Sequence, residues 1–168
     1  MGPMHVVVSL TMGTLALALS GRLSIPMVPV PMTLQSLVVL LIGAFCIPAV
    51  AGSTIALYLF FGAIGLPVFA NGTSGTQVLL GPAGGFLWSF LLVAMTVSFA
   101  VEDGFTRTTR SRLSVFLVAH MVMLLIGAAW LAAYIGIAVA LRHGFLPFLP
   151  GALLKSALAA VMARVHVR

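Results

Sequence analysis

The stretch Gly62 to Phe86, GAIGLPVFANGTSGTQVLLGPAGGF, limits what this chain can become more than any other. It stands between two strongly apolar segments and holds seven of the 17 glycines and two of the nine prolines. Gly loses the most backbone freedom on ordering and Pro blocks helix continuation, so this run cannot be the middle of a lipid-facing helix. Its large side chains, Leu66, Phe69, Leu79, Leu80 and Phe86, are apolar, so it is not a solvated linker either. Non-helical backbone at membrane depth must be buried in protein or line a cavity. Two readings follow: a backbone folded tightly against a ligand, or a packed re-entrant or capping loop without one.

That a membrane is involved follows from composition. The 168 residues are 62% hydrophobic and 6% charged, against about 25% charged in a soluble domain. The formal charge of +6 does not point to nucleic acid, because the basic residues are scattered among apolar segments, and the two acids are Glu102 and Asp103. A single cysteine, Cys46, excludes an intramolecular disulfide and a cysteine metal cluster. It reads as small apolar packing, and no metal site is expected. The first apolar segment has no upstream basic region and no clear cleavage site, so no secretory leader is expected.

Six apolar segments can be traced. The first, about Val6 to Leu19, carries small residues at helical spacing, Ser9, Gly13, Ala16 and Ser20. Small residues let membrane helices approach closely, either within the bundle or at a separate membrane subunit. Gly21 to Met32 holds Pro26, Pro29 and Pro31 and reads as an extended, stiff loop, with Thr33 as a helix N-cap. The run Thr33 to Ile64 is 32 residues long, whereas one upright span needs about 20. Pro48, flanked by Gly43 and Gly52, divides it into two short helices over 33–46 and 48–64. Further segments follow at Phe86 to Val101, Leu113 to Ala129 with a possible extension to Leu141, and Ala152 to Val165. Glu102 to Arg112 is a charged connector and Arg142 to Gly151 a loop.

Basic residues in short loops favour the cytoplasm. With both termini inside, that side receives Arg107, Arg110, Arg112, Arg164 and Arg168, and the outside only Arg22 and Arg142. The expectation is an all-α membrane bundle of six transmembrane helices, one domain over 1–168, with both termini cytoplasmic. The Gly- and Pro-rich loops at 21–32, 65–85 and 142–151 then share the outer face, which fits capture of something from outside.

Lys155 is the informative charge, about one turn into the last segment. An ionisable residue inside a membrane is costly and is paired or functional. Both acids lie on the opposite face, so either a ligand carboxylate completes Lys155 or its ammonium snorkels to the interface. Gln35 and Asn71 each offer a donor and an acceptor near an outer helix end, suited to a cyclic urea or amide, or to helix-end bonding. Tyr58, Trp88 and Trp130 read as interface anchors or pocket walls. His120 reads as a hydrogen-bonded bundle residue, and His5, His143 and His166 as peripheral. Gly72-Thr73-Ser74-Gly75 matches the GxSG of intramembrane serine proteases, which would pair Ser74 with His120. The segment after it breaks again too soon to be the helix such an enzyme needs. Gly81-Pro82-Ala83-Gly84-Gly85 is no phosphate loop, since no Gly-Lys-Ser/Thr follows.

Several motifs, in order over residues 21–156, resemble the BioY family, the biotin-specific S component of energy-coupling-factor transporters. They are Val28-Pro29-Val30-Pro31-Met32-Thr33-Leu34-Gln35, the stretch from Tyr58 to Phe69, Gly81 to Phe86, and Pro147-Phe148-Leu149-Pro150-Gly151 followed by Leu153-Leu154-Lys155. The resemblance implies biotin held near the outer face of a bacterial cytoplasmic membrane. It implies no cofactor and no catalysis on this chain. Its partners would be a transmembrane coupling protein and two cytoplasmic ATPases, docked through small residues of the first helix, although some members act without a dedicated ATPase module. Leu66, Phe69, Phe86 and Trp88 would wall the bicyclic ring beside Gly84 and Gly85, with Asn71 and Gln35 at its polar edge and Lys155 at the carboxylate. The family's acid before Leu-Leu-Lys is replaced by Ala152, and its GPTGGY by GPAGGF, which removes hydroxyls at Ala83 and Phe86. Another small carboxylated or heterocyclic vitamin, an intramembrane serine hydrolase and a structural subunit are the alternatives.

Overall fold

A computed structural model describes residues 2–165. His166 and Arg168, expected at the periphery and on the cytoplasmic side, lie outside the described residues. The chain is mostly helical. Helix α1, Pro3–Ser20, leads into a hairpin of β1, Ser24–Ile25, and β2, Met32–Thr33, antiparallel with Ser24 opposite Thr33. Helices α2, Gln35–Phe45, and α3, Pro48–Ala63, follow. A short α4, Thr76–Leu79, precedes α5, Gly84–Glu102, and α6, Thr109–Ile135. A short α7, Ile137–Ala140, and α8, Leu149–Met162, complete the set.

Among the described residues, four stretches are long and apolar enough to cross a membrane: Pro3–Ser20, Gly84–Glu102, Thr109–Ile135 and Ile137–Met162. Helices α2 and α3 are apolar but shorter. Their division follows from Pro48. Cys46 and Ile47 are extended, and Pro48 opens α3 where its missing N–H costs nothing.

Helix α5 is the centre of the bundle and packs on α6, α2 and α3; α8 closes on α6 and α2, and α1 lies against α3 and α2. One core cluster joins Leu17, Leu40, Ile55, Tyr58, Phe69, Phe90 and Phe116; a second joins Phe86, Leu131, Phe148 and Ala152. The small residues of α1 divide between two surroundings. A Cβ on Gly13 would stand 2.6 Å from Thr54 Cγ2, so Gly13 is where α1 touches α3. Ser20 is buried, Ser9 half-buried and Ala16 exposed.

Four sequence expectations need correction. The proline loop is not wholly irregular, since its ends pair as the β1–β2 hairpin. The cap position of α2 is Leu34 rather than Thr33, although Thr33 Oγ1 still accepts from Gln35 N at 3.3 Å. Helix α6 begins at Thr109, four residues before Leu113. Thr108 and Ser111 form a reciprocal capping box that satisfies two otherwise orphaned N–H groups. It ends at Ile135, where Gly136 takes φ 80° and ψ 154°. Finally, most of 142–151 is not a loop: 141–145 winds as a π turn, 146–148 as a 3₁₀ turn, and α8 starts at Leu149. Lys155 therefore lies nearly two turns into its helix, deeper than its distance from Pro150 implied.

Candidate functional site

A cavity of about 210 Å³ opens where the helix ends meet the hairpin. Val30, Pro31 and Thr33 of the hairpin side and Phe69, Ala70, Asn71 and Thr73 of the following turn form its cover. Phe86, Leu87 and Phe90 of α5, Met123 and Leu124 of α6, and Phe148 supply apolar walls. Its polar groups come from Gln35 and Ser36 of α2, His120 of α6 and Lys155 of α8.

Lys155 is 7% exposed and does not snorkel. Its Nζ donates to Thr33 O at 3.0 Å and to Ser36 Oγ at 2.7 Å. Both acceptors are neutral, and an ammonium has three N–H donors, so one remains. The group also sits beside the first turn of α2, whose positive dipole end favours an anion in the same place. Both acids end α5 some 16 residues beyond Phe86, roughly 24 Å away along the helix.

Gln35 is almost consumed by the protein. Its Nε2 donates to Tyr58 Oη at 2.5 Å and to Leu17 O at 3.3 Å, and its Oε1 accepts from Thr33 Oγ1 at 3.2 Å. One lone pair of Oε1 is left. Asn71 takes the left-handed conformation, φ 56°, which Asn tolerates better than most residues. Its Oδ1 accepts from Ser24 Oγ at 2.5 Å, and its N–H donates to Gly21 O at 3.0 Å. Its side-chain NH₂ stays available. Arg22 donates to Pro67 O at 2.9 Å, so the hairpin is tied at two places to the turn beyond α3.

Phe69 is fully buried, edge-on to Tyr58 at 5.5 Å, and Phe86 stacks on Phe148 at 5.9 Å. Four other candidates do not line the cavity. Leu66 is exposed. Gly84 and Gly85 lie behind the wall, where a Cβ would stand 2.1 Å from Leu79 O and 2.2 Å from Trp130 Cβ respectively. Trp88 is 43% exposed, and its Nε1 donates to Leu79 O at 3.1 Å. Trp130 Nε1 donates to Gly81 O at 3.0 Å, and Tyr134 Oη donates to Leu80 O. Three aromatic side chains thus hold three successive carbonyls between α4 and α5, a clamp for the turn rather than a pocket wall.

The sequence model of the BioY family matches residues 3–168. The chain belongs to the BioY family. Among curated relatives, biotin transporter BioY2 of Lactococcus lactis subsp. cremoris is 35% identical over 161 residues, covering 95% of this chain and 88% of that one. A probable biotin transporter BioY of Rickettsia prowazekii is 32% identical over 149 residues, covering 89% and 76%. The crystal structure of an S component for biotin from an ECF-type ABC transporter superposes with a TM-score of 0.85 at 27% identity, covering 98% of this chain and 93% of that one. These relatives are transporters, and with its four long apolar stretches this BioY-family chain is a multi-pass membrane protein.

Sequence reasoning missed Thr33 and Ser36 as the partners of Lys155, 122 and 119 residues away. Nothing local marks such a pairing. It also missed Ser156, whose hydroxyl meets His120 Nδ1 at 2.9 Å. That bond gives His120 the bundle role expected of it, and the ring also lines the cavity. Ser74 is not among the cavity residues, and its carbonyl accepts from Gln77 Nε2 at 3.0 Å.

Proposed function

We infer that this BioY-family protein captures biotin as the substrate-binding subunit of an ECF-type transporter. The observation that carries the reading is a buried ammonium that, among the described residues, is bonded only to neutral acceptors, at one end of an apolar cavity. A charge in that position has no counterion among the described residues, and a ligand carboxylate supplies one. Phe69 and Phe86 line the apolar part of the cavity, where the fused ring system would sit, while the Asn71 NH₂ and the remaining Gln35 Oε1 lone pair serve a ureido edge. Gly84, Gly85 and Trp88 act indirectly, by letting α5 approach α6 and by fixing the turn before α5.

The same reading gives six membrane segments with both termini cytoplasmic, in a bacterial cytoplasmic membrane. Helices α2 and α3 count as short spans, supported by their apolar faces and by the arginines gathered at 107–112. The chain itself is non-catalytic and needs no cofactor. A transmembrane coupling protein docks on α1, and two ATPases below it hydrolyse ATP. Met4, Val8, Met12, Leu15 and Leu19 leave one face of α1 apolar and unpartnered in the bundle. Ala16 lies on the exposed side, whereas Gly13 and Ser20 anchor α1 to the bundle.

The test is titration of the purified protein with biotin, biotin methyl ester and other carboxylated vitamins. Biotin should bind most tightly and its ester more weakly. Equal binding across the set would remove biotin as the ligand and leave a broader capture protein, for which the small Ala152 in the cavity wall leaves room.

A further inference from the structure

A second cavity of about 470 Å³ lies between the C-terminal half of α5 and the N-terminal half of α6 and shares no lining residue with the first. Leu92, Thr96 and Ala100 form one wall, and Ser114, Val118 and Val122 the other. Each wall spans eight residue steps, about 12 Å of helix. One leaflet contributes about 15 Å of hydrocarbon, so the groove has the length of a single leaflet. Ser114 and Val118 are exposed, which leaves the groove open towards the membrane.

The end of the groove sets it apart from the rest of the apolar surface. Arg110, Ser114 and Val118 form one i, i+4, i+8 row on α6, so the exposed Arg110 stands at its mouth. Arg107, also exposed, precedes it on the connector. Arg112 heads the neighbouring row through Val115, Ala119 and Val122, all three of which line the groove. It is 6% exposed; one terminal nitrogen donates to Thr109 Oγ1 at 3.3 Å, and its Nε has no partner among the described residues. Glu102 and Asp103 stand at the α5 end of the same short connector. Basic sites between membrane helices hold anionic headgroups, and arginine binds phosphate through paired N–H donors.

We propose that this groove binds an anionic phospholipid, with one acyl chain between α5 and α6 and the phosphate held by the exposed Arg110, beside Arg107. The lipid fills apolar volume and sets a negative charge beside the exposed Arg110. The site lies on the basic face of the protein, away from the ligand cavity, and does not depend on what that cavity binds.

Native mass spectrometry of the detergent-purified protein tests this, with phosphatidylglycerol or phosphatidylcholine added. Retention of phosphatidylglycerol should exceed that of phosphatidylcholine by about fivefold or more, the weight of one arginine at a membrane surface. Arg110→Glu should abolish the preference while leaving weak retention of both lipids. Val118→Trp, which fills the groove from an exposed position, should remove retention of both. A monodisperse gel-filtration profile verifies folding of each variant. Equal retention of the two lipids by the unaltered protein, or a preference that survives either substitution, overturns the proposal.

Discussion

Replacing Lys155 with Met should separate recognition of the carboxylate from everything else in the cavity. The unbranched side chain keeps the apolar stem and removes the charge with its N–H donors. Lys155 already gives two of its three donors to Thr33 O and Ser36 Oγ, so the ligand gains one charge-assisted bond. Such a bond contributes about 1.5–3 kcal/mol, or roughly tenfold to a hundredfold in affinity. Thr33 O and Ser36 Oγ lose their partner in the free and bound protein alike, so that cost cancels from the binding constant. The single remaining donor places the expected loss towards the lower end, near tenfold. Isothermal titration with biotin and with biotin methyl ester measures it. Biotin should weaken by about tenfold or more, while the ester, which presents no charge, should change by less than about twofold. An unchanged biotin affinity, or an ester that weakens in step, would refute the assignment of the ammonium to the carboxylate.

Arg22→Ala removes the bond from the hairpin to Pro67 O at 2.9 Å, and should raise the biotin off-rate several-fold in stopped-flow measurements; unchanged release would mean that the hairpin is not a cover. Gln35→Leu leaves Tyr58 Oη and Leu17 O without their partner and should cost about 1–3 kcal/mol of stability. A thermal melt reads that loss, and a Tm equal to that of the unaltered protein argues against the structural account of Gln35. Gly127→Ala would place a Cβ 2.2 Å from the Phe86 ring and should cost about 1–3 kcal/mol by overpacking. It should also weaken biotin as the ring shifts into the cavity; a lowered Tm with unaltered affinity would show that Phe86 yields in the other direction.

What could be read in the sequence divides by physical origin. Pro48 marked the break between α2 and α3 because its effect is local, acting on the residue before it and on the turn it opens. Pro147 and Pro150 misled for the same local reason. Each stands in the first turn of its own helix, where proline is tolerated, so a segment that counts as loop by composition winds into helix. Lys155 was legible because a charge within an apolar segment is anomalous wherever the chain folds. Its partners were not, since Thr33 and Ser36 become acceptors only when α8 meets α2. Trp88 and Trp130 fitted a pocket wall equally well until their N–H groups met the carbonyls of Leu79 and Gly81. The polar side chains therefore have to be counted by what the fold leaves unused rather than by type. Lys155 keeps one N–H, Asn71 keeps its NH₂, and Gln35 keeps one lone pair. Among these three the donors outnumber the acceptors, and the one net charge is positive. A cavity so equipped selects for an anion with a carbonyl edge, and a cationic ligand of the same size would meet the Lys155 charge with nothing to offset it.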